Sequence, residues 1–160
     1  SGLVNREGEV MGPTQWGTVT SEILSREPKI SIQFSKEFNT TSRNLSVTVN
    51  LKAIETLNEV KVSVFVTESG LVSPQKTSGD PEYPDGTIPN YVHNNVFRAS
   101  LNGTWGSSLF EGGAAIGESQ SITVSGVLNS NWNENKIHIV CFAYDVETGQ
   151  IIQVESKPLL

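Results

Sequence analysis

The chain has 160 residues, enough for one ordinary domain. Its composition is 36% apolar and 18% charged, which permits a hydrophobic core, and no stretch approaches the roughly 18 uninterrupted apolar residues of a membrane-spanning helix. The net charge of −6 and the lack of a basic block argue against a nucleic-acid partner, since phosphate contacts dominate such binding. A single cysteine, Cys141, excludes an internal disulfide and a thiolate-rich zinc site.

The first six residues show no secretory signal peptide, because they contain neither a charged n-region nor an apolar h-region. The abrupt start without an initiator methionine favours a piece excised from a longer protein. The alternative is a cytoplasmic protein. The scarcity of cysteine fits either compartment and does not decide between them.

One amphipathic helix is predicted early in the chain. Pro13 suits the first helical position, and apolar residues then recur at helical spacing, namely Trp16, Val19, Ile23 and Leu24. Pro28 ends the segment, since the residue before a proline is pushed out of helical geometry. The helix is expected to run from about Thr14 to Arg26, with residues 1–27 as a segment of their own.

After Pro28 the apolar period changes from 3.6 to 2, which is typical of half-buried strands. Strands are predicted at Ile30–Phe34, Leu45–Lys52, Val60–Thr67, Tyr91–Leu101, Ser119–Val127, Ile137–Tyr144 and Gln150–Glu155. The segment Ile137–Tyr144 is apolar on both faces, which indicates a central strand. A tight turn at Asp145–Gly149 joins the last two strands into a hairpin.

The segment from Ser73 to Asn90 contains four prolines and is predicted to be a long loop. Loops of this length in a small domain are often functional or mobile, and its role is left open. Six or seven strands with polar turns predict a mostly β fold: an immunoglobulin-like antiparallel β-sandwich over residues 28–160, preceded by one short N-terminal α-helix. A β-barrel is the main alternative.

Two neighbouring segments carry a resemblance to a known family. They are Tyr91–Arg98, which reads Tyr-Val-His-Asn-Asn-Val-Phe-Arg, and Asn102–Gly106, which reads Asn-Gly-Thr-Trp-Gly. They resemble the C-terminal domain of the Bacteroidota outer-membrane lipoproteins named after a twenty-eight-kilodalton outer membrane protein. The similarity covers about residues 28–160 and is extended by three shorter motifs, Asn131–Asn133, Ala143–Asp145 and Thr148–Gly149.

The resemblance implies a particular domain context. A thioredoxin-like domain precedes the β domain in many relatives, so Gly2–Arg6 and Thr14–Arg26 are expected to be the late strand and last helix of such a domain. The alternative is a simple N-terminal helix docked on the sandwich. The resemblance also implies export, a lipid anchor outside this chain, an outer-membrane or cell-surface location, and adhesion or receptor roles without established catalysis.

One departure from the family pattern concerns metal binding. Asn95 stands where relatives often carry a second histidine. Histidines at positions i and i+2 of a strand point to one face and can share a metal ion. With asparagine at this position, a metal site here is not expected.

His93 and Arg98 are the first candidate site residues, because they lie where the proline-rich loop re-enters the sheet. Their donors suit a carboxylate or a sugar hydroxyl. The competing interpretation, which we favour, is that they bind loop carbonyls and hold the architecture. Alternation predicts that the two side chains face opposite ways and make separate contacts.

Tyr91, Trp105 and Trp132 are a candidate aromatic platform, since flat apolar rings stack on sugar rings. The favoured alternative is that tryptophans plug the core or the ends of the sheets. The candidate binding residues are therefore Tyr91, His93, Arg98 and Trp105.

Asp80, Glu82 and Asp85 form a candidate calcium site, because Ca²⁺ prefers hard oxygen ligands from flexible loops. Their spacing does not match the EF-hand pattern. Solvated loop acids are the favoured interpretation.

Catalysis is not expected. Cys141 in a central strand is interpreted as a small buried hydrophobe, and His138 as a hydrogen-bonded histidine of the sheet. The sequence contains no nucleophile elbow, P-loop or zinc-protease motif. Two histidines and one cysteine leave little material for acid–base or thiol chemistry, and no cofactor is expected.

These observations predict a non-catalytic extracytoplasmic module that serves interaction or adhesion in a cell-envelope lipoprotein, with an unidentified protein or glycan partner. Two rival functions stay open. The first is a carbohydrate-binding module that uses exposed aromatic side chains. The second is an accessory domain to a thioredoxin-like thiol–disulfide oxidoreductase.

Overall fold

Alternating apolar side chains organise most of the chain into antiparallel sheets in the computed structural model, which describes residues 1–160. The elements in chain order are β1 (Gly2–Val4), β2 (Glu7–Met11), α1 (Pro13–Leu24), β3 (Ile30–Phe38), β4 (Asn44–Ala53), β5 (Val60–Glu68), β6 (Leu71–Lys76), β7 (Thr87–His93), β8 (Val96–Ser100), β9 (Ser107–Phe110), β10 (Ser119–Val127), β11 (Ile137–Asp145) and β12 (Ile151–Pro158). A short 3₁₀ turn, Glu134–Lys136, precedes β11. None of the helical segments has the length and apolarity needed to cross a membrane.

Two sheets form the sandwich. The first has the order β10-β4-β3, and the second has the order β12-β11-β5, with β8 and β9 both paired to the remaining edge of β5. This order corresponds to strands A, B and E of an immunoglobulin-like domain facing strands G, F and C, with β8 and β9 together in the place of the strand that follows C. The predicted immunoglobulin-like β-sandwich is confirmed.

The core lies between the inward faces of the two sheets. The residues that alternation predicts to be buried together, Val47, Val49, Val62, Val64 and Ile139, all have 0% of their surface exposed. Because side chains in a strand alternate with a period of two, this burial leaves every second residue of each strand facing outward. The outward faces are therefore free to carry function.

The structure differs from the long loop that was predicted from Ser73 to Asn90. Residues at both of its ends belong to the hairpin β6–β7, and only the tip between these strands is irregular. The strands were not predicted from the sequence because they contain Pro74 and Pro89, and proline argues against a central strand. Both prolines lie where the register shifts between the pairs Ser73↔Tyr91 and Gln75↔Ile88, in a hairpin that stands outside both sheets.

The single strand predicted at Tyr91–Leu101 is also divided. Asn95 adopts a left-handed conformation with φ of 54°, which interrupts the extended backbone. The residues before it pair with β6 as strand β7, whereas the residues after it pair with β5 as strand β8. The alternation argument for His93 and Arg98 therefore does not extend across this break.

The open side of the sandwich is closed by two lysines. Strands β3 and β12, each an outer strand of its sheet, lie next to each other. Lys36 Nζ of β3 donates to the carbonyl of Leu159 at 2.6 Å, and Lys157 Nζ of β12 donates to the carbonyl of Phe34 at 2.7 Å. Inward-pointing charges at sheet edges prevent pairing with other chains.

The N-terminal residues form a small unit beside the sandwich. Trp16 of α1 lies close to Gly2 of β1, and no residue before Ile30 is buried. The predicted apolar helix face is present, yet Leu24 at its end is 78% exposed. A cavity of about 490 Å³ separates the unit from β12.

Few contacts join this unit to the sandwich. The amide of Ile151 donates to the carbonyl of Asn5 at 3.1 Å, and the Asn5 side chain donates back to the Ile151 carbonyl. The Arg6 guanidinium lies 5.3 Å from the ring centre of Phe142 and 5.4 Å from that of Tyr144. The division into residues 1–27 and 28–160, and the thioredoxin-like origin of the first part, stay predictions.

Deletion of residues 1–27 is expected to leave a single cooperative unfolding transition. The sandwich loses one reciprocal pair of hydrogen bonds and the contacts of Arg6 with two aromatic rings, so its free energy of unfolding should fall by about 1–3 kcal/mol. Urea and thermal unfolding of the full and shortened chains measure this. A shortened chain without a cooperative transition would show that the helix belongs to the core.

Candidate functional site

A two-stranded arm projects from the sandwich. We define the arm as residues 71–93, which comprise β6, β7 and the tip between them. At its base Glu68 of β5 pairs with Val96 of β8, and beyond the junction Leu71 pairs with His93. The arm therefore continues the β5–β8 pair past the end of the second sheet.

Specific hydrogen bonds define the junction between arm and sandwich. Gly70 has a φ of 78° and donates its amide to Asn94 Oδ1 at 3.1 Å, while the Asn95 amide donates to Ser69 Oγ at 3.0 Å. Gly70 and Asn95 are types that tolerate the left-handed conformation. The two strands thus turn at the same level, and the arm leaves the sheet as one ribbon.

The arm exposes apolar side chains to solvent. Val72 and Val92 are directly paired and are 62% and 50% exposed, and Tyr91 is 42% exposed. Strands β6 and β7 pack mainly against each other. The directly opposed valines stabilise the hairpin and at the same time leave apolar surface open to solvent.

The edges of the arm are not suited to pairing with another strand. Pro74 in β6 and Pro89 in β7 have no amide hydrogen to donate. Proline on an exposed strand is a common protection against edge-to-edge association. The arm therefore presents a side-chain surface for recognition and not a backbone edge.

The acidic residues at the tip of the arm are engaged in its turns. Asp80 Oδ1 accepts the amide of Glu82 at 3.0 Å, and Asp85 Oδ1 accepts the amide of Thr87 at 3.1 Å. No group of three or more His, Cys, Asp or Glu side chains in the chain is arranged to hold a metal ion. The geometry gives Asp80 and Asp85 the role of turn-forming side chains.

His93 and Tyr91 lie in the arm and contact each other. Their ring centres are 4.8 Å apart with an edge-to-face arrangement, and His93 Nε2 is 3.3 Å from the carbonyl oxygen of Ser73 on the facing strand. His93 thereby ties β7 to β6.

Arg98 lies at the base of the arm against a buried carboxylate. Its Nε is 3.0 Å from Glu68 Oε2, and only 3% of the Glu68 side chain is exposed. These two atoms do not meet at a good hydrogen-bonding angle, so charge attraction dominates their contact. The Arg98 guanidinium also lies 5.0 Å from the ring centre of Trp132, and Glu68 Oε1 accepts the amide of Asn133 at 2.8 Å.

The contacts around the buried Glu68 carboxylate link three separate parts of the chain. Glu68 ends β5, Arg98 is in β8, and Trp132 and Asn133 precede β11. Sequence reasoning singled out Arg98 but placed Glu68 only at the end of a strand. Glu68 lies at an even-numbered position, as do the buried valines of β5, and this shared alternation could have identified it as an inward residue.

The Asn102–Gly106 motif, which lies between β8 and β9, contains two residues with a structural role at β5. The Asn102 side chain accepts the amide of Val64 at 3.0 Å and donates to the carbonyl of Val62 at 2.8 Å, so it replaces a missing strand neighbour. Gly106 has a φ of 67°, and a Cβ there would lie 2.2 Å from the Val62 carbonyl oxygen. Both residues keep β5 paired where its partner strand is interrupted.

The three rings of the candidate aromatic platform have different neighbours. Tyr91 contacts His93 in the arm, Trp132 lies under Arg98, and Trp105 is 74% exposed. The Trp105 carbonyl accepts the Tyr144 hydroxyl at 2.6 Å, which fixes its backbone. None of the three rings stacks on another. A separate aromatic row, Phe97–Phe65–Phe142, crosses the outer face of the second sheet with successive ring centres 4.9 Å apart.

Cys141 and His138 lie in the central strand β11. Cys141 is fully buried, and burial raises the pKa of its thiol to about 12, with a smaller contribution from Glu155. The expectation that His138 is hydrogen-bonded is wrong at one atom, because its buried Nδ1 has no partner. Alternation places His138 with Val140 on the outer face of the sheet.

Replacing Arg98 with alanine is expected to lower the free energy of unfolding by about 2–4 kcal/mol, because it leaves the buried Glu68 carboxylate without a counter-charge. Chemical denaturation measures the change. The control is Arg26→Ala, which removes an ion pair to Glu7 whose side chains are 54% and 26% exposed, and which should leave the unfolding midpoint nearly unchanged.

The double variant Arg98→Ala/Glu68→Gln tests the cause. Since the glutamine carries no charge, this variant should recover part of the stability that Arg98→Ala loses. An Arg98→Ala protein with wild-type stability would contradict the structural role and favour a ligand-binding role for this arginine.

The Cys141 thiol is expected to resist alkylation in the folded chain at pH 8. Thiol reagents react with the thiolate, and a pKa raised to about 12 leaves almost none of it at this pH, while burial also prevents access. Mass spectrometry after iodoacetamide treatment measures the labelled fraction, and the urea-unfolded chain is the positive control. Stoichiometric labelling of the native protein would contradict this expectation.

Comparisons with known proteins agree with this architecture. No curated protein is similar enough to count as a relative. A crystal structure of a domain of the outer membrane lipoprotein Omp28 from Porphyromonas gingivalis is 22% identical, aligns over 82% of this chain and 88% of that chain, and has a TM-score of 0.53. This similarity shows a shared fold.

The family comparison covers more than the β-sandwich. The family model described as outer membrane protein Omp28 matches residues 1–159, so the match includes the N-terminal unit that the resemblance from residue 28 onward left out. The expected family and the expected extracytoplasmic, outer-membrane location are confirmed. The chain belongs to the Omp28 family of outer membrane proteins.

Proposed function

We propose that this chain is a non-catalytic interaction and adhesion module of a cell-envelope lipoprotein, and that the arm contacts the partner. The observation that carries the proposal is the paired and exposed Val72 and Val92 on a ribbon that stands away from the sandwich. Adjacent exposed apolar side chains form a surface patch, and such patches commonly mark interaction sites.

The construction of the arm supports this role. The ion pair between the partly exposed Arg98 and the buried Glu68, together with the junction at Gly70 and Asn95, fixes the base of the ribbon to the core. A recognition surface held by a rigid base loses less conformational freedom on binding than a flexible loop does. Val72, Val92 and Tyr91 lie in the second and third residue pairs from this base, so they are held close to a fixed support.

The distribution of reactive groups supports a non-catalytic role. Cys141 is buried with a raised thiol pKa, and the two histidines lie apart, His93 in the arm and His138 in β11. Acid–base or nucleophilic catalysis needs a base within hydrogen-bonding reach of the reacting group. The arm offers contact surface and no such pair.

Replacing the valine pair, Val72→Ser/Val92→Ser, is expected to reduce adhesion without unfolding the chain. The change removes exposed apolar contact surface only, so the unfolding midpoint should stay within the small range typical of surface substitutions. Beads coated with the purified chain are counted after washing on epithelial monolayers and on surfaces coated with outer-membrane vesicles. We expect at least about a fivefold loss of retained beads, since desolvated apolar anchors dominate binding energy.

The matched control is Val10→Ser/Val127→Ser. These two valines are 66% and 71% exposed and lie outside the arm, so the control removes the same number of exposed isopropyl groups. Equal retention for the wild-type chain and the arm variant would contradict the proposal. Equal losses in the arm variant and the control would show nonspecific apolar sticking and would contradict it too.

A further inference from the structure

A shallow cavity of about 540 Å³ lies on the outer face of the first sheet, on the side of the sandwich formed by β3, β4 and β10. We call it the polar cavity. Strand register brings its side chains into two adjacent rows across the three strands: Ser31, Lys52 and Ser119, then Gln33, Asn50 and Ser121. Neighbouring strands are about 4.8 Å apart, so the rows form a close grid of polar groups.

The side chains of the polar cavity have no partner within the protein. None of these six makes a side-chain hydrogen bond or an ion pair, whereas in the next two rows of the same face the β4 and β10 side chains bind each other. Thr48 Oγ1 and Thr123 Oγ1 are 2.9 Å apart, and Ser125 Oγ donates to Ser46 Oγ at 3.3 Å. The six polar side chains that line this shallow cavity are therefore available to a ligand.

The chemistry of the cavity excludes several ligand classes. Leu51 is the only apolar residue that borders it, and its side chain is 1% exposed, so an apolar ligand finds no apolar side chain there. Strand β4 is paired along both edges and cannot accept a peptide strand at the cavity floor. A single lysine is too little positive charge for a nucleic-acid backbone.

Lys52 gives the cavity a positive charge without a neutralising partner. No carboxylate borders the cavity. Glu118, adjacent in sequence to Ser119, uses its Oε2 to accept the amide of Ala115 at 3.1 Å. In a chain of net charge −6, a cavity with one free ammonium group and no acid is suited to an anionic group.

We infer that the polar cavity binds an acidic glycan, with Lys52 bound to a sugar carboxylate and Gln33, Asn50 and the serines bound to sugar hydroxyls. Hydroxyls both donate and accept, as do the serine and amide side chains. Short serine side chains also lose little rotamer freedom when they are fixed. This site is separate from the arm and does not depend on it.

Isothermal titration with two defined probes tests the inference. The probes are a trisaccharide of galacturonic acid and the uncharged galactose trisaccharide. Because hydrogen bonds to charged groups are about twice as strong as neutral ones, we expect the acidic probe to bind at least about fivefold more tightly. Lys52→Gln should remove this preference, and Gln33→Ala/Asn50→Ala should weaken binding of the acidic probe at least about fivefold through the loss of paired donors.

The control Thr123→Ala/Ser125→Ala changes the same face outside the polar cavity and should leave the affinity unchanged. Unfolding midpoints of all variants verify that they are folded. No binding of the acidic probe, equal binding of both probes, or an unchanged preference in Lys52→Gln would overturn the inference. Acetate that competes as well as the trisaccharide would also overturn it, since the cavity would then bind a bare anion.

The test distinguishes this site from the arm. The variant Val72→Ser/Val92→Ser should bind the acidic trisaccharide with wild-type affinity. A loss of glycan binding in that variant would place the site on the arm and overturn the inference, whatever the outcome of the adhesion measurements.

Discussion

Strand β5 is the element on which the other parts of the molecule depend, because it is hydrogen-bonded along both edges and is buried on its inner face. It pairs with β11 on one side and with β8 and β9 on the other. Its inward valines, Val60, Val62, Val64 and Val66, have no exposed surface. Such a strand cannot shift by one residue without moving its valines out of the core. The position of the arm, which continues β5, is therefore set by the packing of the core.

The fold was largely predictable where one physical rule dominates. Period-two alternation identified β4 and β5, and a run that is apolar on both faces identified β11. Val47, Val49, Val62, Val64 and Ile139, which were expected to be inward, are fully buried. The prediction failed for β6 and β7, where prolines occur inside strands. Pro74 and Pro89 argued against strands, yet they are accommodated at a register shift in a hairpin whose edges face solvent.

The candidate site was less predictable, because its key contacts join residues far apart in the sequence. Arg98 was identifiable from the sequence as a donor near the loop. Its partner Glu68 lies thirty positions earlier, so only folding brings the Arg98 guanidinium and the Glu68 carboxylate together. Asn102 was interpreted as the end of a strand, although its side chain continues the ladder of β5. The motif that carries the family resemblance includes this asparagine and Gly106, so part of the resemblance reflects how the sheet is completed.

The two outer faces of the sandwich are chemically different. The face of the first sheet carries hydroxyl and amide side chains at most positions, whereas the second sheet carries the aromatic row Phe97–Phe65–Phe142, partly covered by Arg6. Both sheets pack against the same core through their inward residues, so core packing does not determine the outward residues. One domain therefore presents a polar outer face and an aromatic outer face.

Lys36 and Lys157 have a consequence for how copies of this protein share a membrane. Proteins confined to a membrane surface meet repeatedly in similar orientations, which favours pairing between the exposed sheet edges of neighbouring molecules. Here each lysine occupies a carbonyl that a neighbouring strand would need, and Lys157 also lies 4.7 Å from the ring centre of Phe34. A neighbour that docked at this side would have to bury both ammonium groups. Edge-to-edge pairing of two copies at this side of the sandwich is therefore disfavoured.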